Sequence, residues 1–186
     1  MVRRLPESQR IACHWRSGWR CNVQGNHGAN RGIGTNGPDR FSPVMTAILL
    51  AAAVVPAGQS FQCTPTRVWD GDGPIWCAEG PRIRLAGVAA REMDGSCKAR
   101  HPCPDAEPIT ARDALVQLIG RPAGQSREGH ILVRGPAMTC RSDGGAGGDR
   151  TAAFCVSPRS GDVSCNMVAG GWAAKWQRYW RGHRCK

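Results

Sequence analysis

Hydrophobic and polar positions alternate in short runs through the middle of the chain. Residues 67–69 (Arg-Val-Trp) and 74–77 (Pro-Ile-Trp-Cys) flank the turn-forming tetrad Asp70-Gly71-Asp72-Gly73, and a second turn at Glu79-Gly80-Pro81 leads into Arg82-Ile83-Arg84-Leu85. The pattern predicts β-structure across 61–88, with Ile83 and Leu85 inward and Arg82 and Arg84 on the other face, because successive strand side chains point to opposite sides. The period changes after residue 108. Ala111, Leu115, Leu118 and Ile119 share one helical stripe, which opens at Thr110-Ala111-Arg112-Asp113 as a capping box would and ends at Gly120. Strands are predicted at 130–134 and 151–156, with the glycine-rich run 143–149 as a loop between them, and Asp162 suits the N-cap of a short helix to residue 169. Trp172, Trp176 and Trp180 recur every four residues, a spacing that predicts a core-facing helical stripe. His101, His130 and His183 show no partners and read as solvent or strand-end residues. Short strands, one amphipathic helix and helices at the end predict an α+β domain built on a small closed β-barrel.

Before this region the pattern is different. Residues 1–43 are rich in arginine and have no apolar period, which predicts a basic disordered arm; residues 44–60 contain an uncharged apolar run ending in Val55-Pro56-Ala57, a small-residue cleavage pattern. The run is too short to span a bilayer and reads as an export signal, so the mature protein is expected to begin between about Ala57 and Phe61, with 61–186 as the folded domain and no stable membrane insertion.

Composition adds the redox argument. Ten cysteines include no C-x2-C pair, and Cys97, His101 and Cys103 lack a second half of zinc-site spacing, so a disulfide framework is favoured over a metal cluster. Eight cysteines lie beyond residue 60, an even number that permits full pairing, although on the order of a hundred pairings are then possible. The inferred topology brings together Cys63 with Cys77, Cys97 with Cys103, Cys140 with Cys155, and Cys165 with Cys185. An exported, periplasmic or extracellular location follows. The formal net charge of +11 favours a polyanionic partner.

Four separated blocks carry a family likeness: Val68-Trp69-Asp70-Gly71-Asp72; residues 82–92, ending in Ala89-Ala90-Arg91-Glu92; Asp149-Arg150-Thr151-Ala152-Ala153; and residues 162–173 with the closing Arg178-Tyr179. In this order the chain from about residue 66 to 180 resembles the staphylococcal-nuclease-like (thermonuclease) family. The resemblance implies a five-stranded OB-type barrel with about three helices and a calcium-assisted phosphodiesterase that cuts DNA and RNA, here as a monomer. It places Arg84 and Arg150 on the family's phosphate-binding arginines, Glu92 on its general base, Asp72 on a calcium-ligand aspartate and Tyr179 on a tyrosine beside the substrate. The chemistry is apt: two guanidiniums bind a phosphodiester in forked geometry without giving up a proton, and a carboxylate can take a proton from attacking water. Two departures stand out. Ala89 replaces a second calcium-ligand aspartate, and Gly147-Gly148-Asp149 replaces the lysine or tyrosine pattern that contacts the nucleotide. Two function classes are therefore expected to compete: an exported nuclease, and an OB-type nucleic-acid-binding module that has lost its metal. A basic structural protein of an acidic cell surface is a weaker third.

Overall fold

The computed structural model describes residues 12–15, 19–22 and 54–185. Most of the predicted arm and the apolar run up to residue 53 lie outside the described residues. Strands β1 (Ala12–Trp15) and β2 (Trp19–Asn22) pair antiparallel, with Cys13 opposite Cys21, in a unit separate from the main one.

The main unit is α+β. Its elements are β3 (Ser60–Cys63), β4 (Pro65–Val68), β5 (Ile75–Cys77), β6 (Arg82–Leu85), β7 (Val88–Ala89), α1 (Pro108–Ile119), β8 (Arg121–Gln125), β9 (Ile131–Arg134), β10 (Met138–Gly145), β11 (Arg150–Ser157), β12 (Gly161–Asp162), α2 (Val163–Ala169), β13 (Ala174–Lys175) and α3 (Gln177–Trp180). Nine strands form one sheet in the order β3-β10-β11-β6-β5-β4-β9-β8, with β12 on β11, curled into a half-barrel; β7 and β13 pair separately. The alternation in β6 is as expected, with Ile83 and Leu85 in the core. β11 runs parallel to β6 and sets Ala152 opposite Arg84 and Arg150 opposite Arg82, so all three arginines share the outer face. Inside, Ile75, Ile83, Met138 and Val68 meet Leu115 and Ile119 of α1 and Met167 of α2. Full burial of each such side chain contributes about 1.5–3 kcal/mol.

Several elements differ from the sequence reading. Helix α1 begins three residues early, at Pro108 after the N-cap Glu107 rather than Thr110, because proline's missing N–H is harmless in a first turn. Strand β8 is exposed along its whole length and so carries no alternation, and β10 extends into the predicted glycine-rich loop as far as Gly145. The tryptophan stripe is not a helix. A turn, β13 and the four-residue α3 divide it, leaving Trp180 in the core, Trp172 packed against it and Trp176 at the N-cap of α3.

Disulfides join Cys63 to Cys77, Cys97 to Cys103, Cys140 to Cys155 and Cys165 to Cys185, the same four pairs read from the topology. Cys140 and Cys155 are direct cross-strand partners, whereas Cys97–Cys103 closes a loop between β7 and α1. Four bridges indicate an oxidising environment. No helix among the described residues is long and apolar enough to cross a membrane. Residues just before β3 belong to the fold: the Val55 amide donates to Thr151 Oγ1 at 3.0 Å, and Ser142 Oγ donates to the Val55 carbonyl at 2.7 Å.

Candidate active site

The outer face of β6 and β11 forms the floor of a cleft of about 480 Å³. Small residues make the hollow. Ala152 leaves room beside Arg84, and Gly87, at φ +72°, stands where a Cβ would lie 2.9 Å from the Trp180 ring and 3.1 Å from Phe154. Arg84 and Arg150 rise from the floor, Lys98 and His101 come from the Cys97–Cys103 loop, and Trp176, Tyr179 and Arg181 come from the C-terminal segment. Four cations therefore face one carboxylate, Asp143, which already pairs with Arg181 at 3.2 Å. Such a surface concentrates anions.

Arg84 is held from behind. Its Nη1 donates to Asp72 Oδ1 at 2.8 Å, and Asp72 Oδ2 accepts the Ala90 amide at 3.0 Å. The β4–β5 turn places this carboxylate, since Asp70 Oδ1 accepts the Asp72 amide at 3.1 Å and the Leu85 amide donates to the Asp72 carbonyl at 2.9 Å. Arg84 Nη2, in contrast, is buried without a partner. Asp70 forms no ion pair among the described residues; burial and then the neighbouring Asp72 charge push its carboxyl up to about 8. Burial also raises Asp72, against the pull of Arg84 and the Ala90 amide. Of the two carboxylates, Asp72 alone has a cation partner among the described residues.

Glu92 follows β7 in a tight turn: its amide donates to the Ser96 carbonyl at 2.9 Å and the Gly95 amide donates to its carbonyl at 2.8 Å. Arg91 clamps this loop by donating to the Pro104 and Gly95 carbonyls, both at 2.9 Å. Lys98 reaches back to Glu92 Oε1 at 2.8 Å. The His101 ring lies 4.1 Å from that of Trp176, and burial and Arg84 lower its pKa, so the imidazole is neutral at neutral pH. Arg150 leans on its own turn, donating from Nε to the Gly147 carbonyl at 3.2 Å. Trp176 is edge-on to Tyr179 at 4.5 Å, and the Arg84 guanidinium lies 5.9 Å from the Trp176 ring centre.

The structure thus brings Arg84, Arg150 and Tyr179 to one cleft and sets Asp72 behind Arg84 and Glu92 beside Lys98. Sequence reasoning missed Lys98, His101, Trp176 and Arg181. The signal for the first two was their place between two cysteines only six positions apart; Trp176 was hidden by its spacing. His130 and His183 are also partnered. His183 pairs with Asp162 at 2.7 Å and stacks on Phe154, and His130 bonds Ser126 between Trp69 and Trp76. Arg82 pairs with Asp149 at 2.7 Å, and both side chains remain more than a third exposed.

Calcium takes six to eight oxygen ligands, and Asp70, Asp72 and Glu92 are the carboxylates near Arg84 that could contribute to holding one. Both Asp72 oxygens are engaged, Glu92 is paired with an ammonium, and Ala89 is fully buried in β7 opposite Ala174, where it offers only a methyl group. Asp162, Cys165 and His183 also lie close together, but the sulfur is bonded to Cys185 and is no thiolate. Compared with family models, curated proteins and solved structures, the chain matches none.

Proposed function

We propose that the chain is an exported nuclease of the staphylococcal-nuclease-like type, hydrolysing phosphodiester bonds in DNA or RNA. The observation that carries the reading is Arg84, which lines a basic cleft while its Nη2 is buried without a hydrogen-bond partner. An unmade hydrogen bond to a buried charged group is costly, and a phosphate oxygen would supply it. Arg150, the first residue of β11 after the β10–β11 turn, would take a second phosphate oxygen. Glu92 would accept the proton of the attacking water, and Tyr179 would lie beside the nucleotide.

The finer fold reading is an OB-type barrel of five strands. It follows if β9 and β10 are two halves of one strand bent at Gly135-Pro136, where a Cβ on Gly135 would collide with the Ile119 carbonyl. The order β11-β6-β5-β4-β9/β10 then closes on itself, since β10 also pairs with β11. The cleft falls by the β4–β5 and β10–β11 connections, the loops with which OB-folds bind oligonucleotides and oligosaccharides.

A binding module is the second reading, favoured by the Lys98–Glu92 pair, which neutralises the base. Digestion of a labelled oligonucleotide by the oxidised full-length protein and by Glu92→Gln separates the two. The nuclease reading expects cleavage by the wild type alone, with oligonucleotide binding retained in both. Binding without cleavage in the wild type would establish the module instead.

A further inference from the structure

We propose, resting on the reading above that the cleft binds nucleic acid, that the sheet face beside it is a second binding strip for the same strand, on which Arg82 and Arg67 take phosphates flanking the one held in the cleft. The ligand is then a polynucleotide rather than a mononucleotide. The strand register carries this. Arg150 stands opposite Arg82, Arg82 opposite Trp76, Trp76 opposite Arg67 and Arg67 opposite Leu132, so one row crosses β11, β6, β5, β4 and β9 on a single face. Their chain neighbours Ile83, Ile75, Cys77 and Val68 are buried, which sets the row on the outer side. Arg150 also lines the cleft, so the two surfaces are continuous. Neighbouring strands lie about 4.8 Å apart, which puts Arg67 about 14 Å from Arg150, a distance that a chain of several nucleotides spans and a single one does not.

The row is built to present its cations. The Arg67 guanidinium lies 4.6 Å and that of Arg82 5.7 Å from the centre of the Trp76 ring, which they approach from the strands on either side of β5. Such a contact is worth about 0.5–1 kcal/mol at an exposed site, and it restricts a long side chain whose freedom would otherwise be lost on binding. His130 meets the Trp76 ring edge-on at 4.6 Å and is itself fixed by Ser126 and by Trp69 at 5.1 Å. Arg67 forms no ion pair among the described residues, and Arg82, whose Nη1 pairs with Asp149, keeps further N–H donors. Beyond Leu132 the face continues to Arg134, two positions along β9, and to Arg121 opposite it on β8. These arginines outnumber the bordering carboxylates Asp149 and Glu128, while Glu79 in the β5–β6 turn is engaged by Thr64 at 2.7 and 2.8 Å. A surface of this charge suits a polyanion, and with arginines laid against Trp76 it grips the backbone rather than the bases.

The experiment measures fluorescence anisotropy of a labelled dinucleotide and of a labelled single strand of about sixteen nucleotides, the upper end of what one OB-type fold covers. The protein is oxidised and full-length, carries Glu92→Gln so that the probe stays intact, and has Arg67→Gln or Arg82→Gln added singly. The long strand is expected to bind more tightly than the dinucleotide. Each variant is expected to weaken the long strand by about fivefold and to lower the slope of log affinity against log salt by about 0.7, the contribution of one phosphate contact, while the dinucleotide binds as before. Arg67→Lys keeps the charge without the planar guanidinium and is expected to restore the slope but only part of the affinity. Melting curves verify folding, and if Arg67→Gln fails to fold, Arg82→Gln, at a side chain 39% exposed, tests the same row. Equal losses on both probes, or an undiminished long strand, would overturn the strip and leave the nuclease reading to stand on cleavage by the wild type. Length-dependent losses without wild-type cleavage would uphold the strip and overturn the nuclease reading. A protein that neither binds nor cleaves would overturn both.

Discussion

Arg84 and Arg150 rise from neighbouring parallel strands onto the same face, yet they are held differently. Arg84 is 14% exposed, and its partner Asp72 is 6% exposed at the side chain. The Arg150 side chain makes a single hydrogen bond among the described residues, to a carbonyl in its own turn. The first arginine is part of the fold as well as of the cleft; the second is available to a ligand and nothing else. The same residue type in the same register thus plays two roles, set by what lies behind the strand.

Removing one member of the buried pair gives the largest expected effect. Arg84→Ala leaves Asp72 charged and desolvated, and Asp72→Ala leaves the guanidinium so; either should lower the unfolding free energy by about 3–5 kcal/mol in urea titrations. Arg150→Ala should change stability by no more than about 0.5 kcal/mol and yet lower cleavage by at least about a hundredfold. Equal stability losses at the two positions would show that the contrast is wrong.

Asp70 sharpens the contrast next, because it sits on the buried side without a cation of its own. Its carboxyl is raised to about 8 in the folded state from an ordinary value near 3.8. The folded protein therefore holds a proton that the unfolded chain has lost throughout that window, and stability falls as pH rises from about 4 to 8. Asp70→Asn keeps an oxygen for the Asp72 amide and removes the titration. Its stability should vary less with pH over that range and exceed that of the wild type at pH 8. Parallel wild-type and variant curves between pH 4 and 8 would place the Asp70 proton elsewhere.

The legible and illegible parts of this molecule divide along the same line. Wherever one face of an element is buried, the pattern reports it: Ile83 and Leu85 in β6, and Ala111, Leu115 and Ile119 in α1, lie inside as their spacing requires. Arg84 was legible for the same reason, as the polar half of a clean alternation. Strand β8 has no buried residue and leaves no period to read. Trp176 carries a helical spacing by coincidence, since a glycine turn and β13 intervene before α3. The Lys98–Glu92 and Arg84–Asp72 contacts depend on how loops fold back, at separations of six and twelve residues that correspond to no regular face. Disulfide pairing was readable because adjacent segments constrain it, as at Cys97 and Cys103, whereas the emptiness of the Ala89 position as a ligand site needed the pairing of β7 with β13.

The smallest expected effect concerns the third arginine of the face. Arg82 stands opposite Arg150 in the β6–β11 register and pairs with Asp149, and both side chains are more than a third exposed. An ion pair of this kind gains little in water and pays side-chain entropy, so a double-mutant cycle with Arg82→Gln and Asp149→Asn should give a coupling below about 1 kcal/mol. Salt discriminates it from the buried pair. At about 1 M ionic strength the screening length contracts to about 3 Å, which should remove the Arg82–Asp149 coupling and leave most of that between Arg84 and Asp72, where solvent ions do not reach. A coupling at Arg82 that survived such salt would mean that Asp149 is fixed by the cleft rather than by solvent, and the boundary between the two kinds of arginine would have to be drawn beyond Arg82.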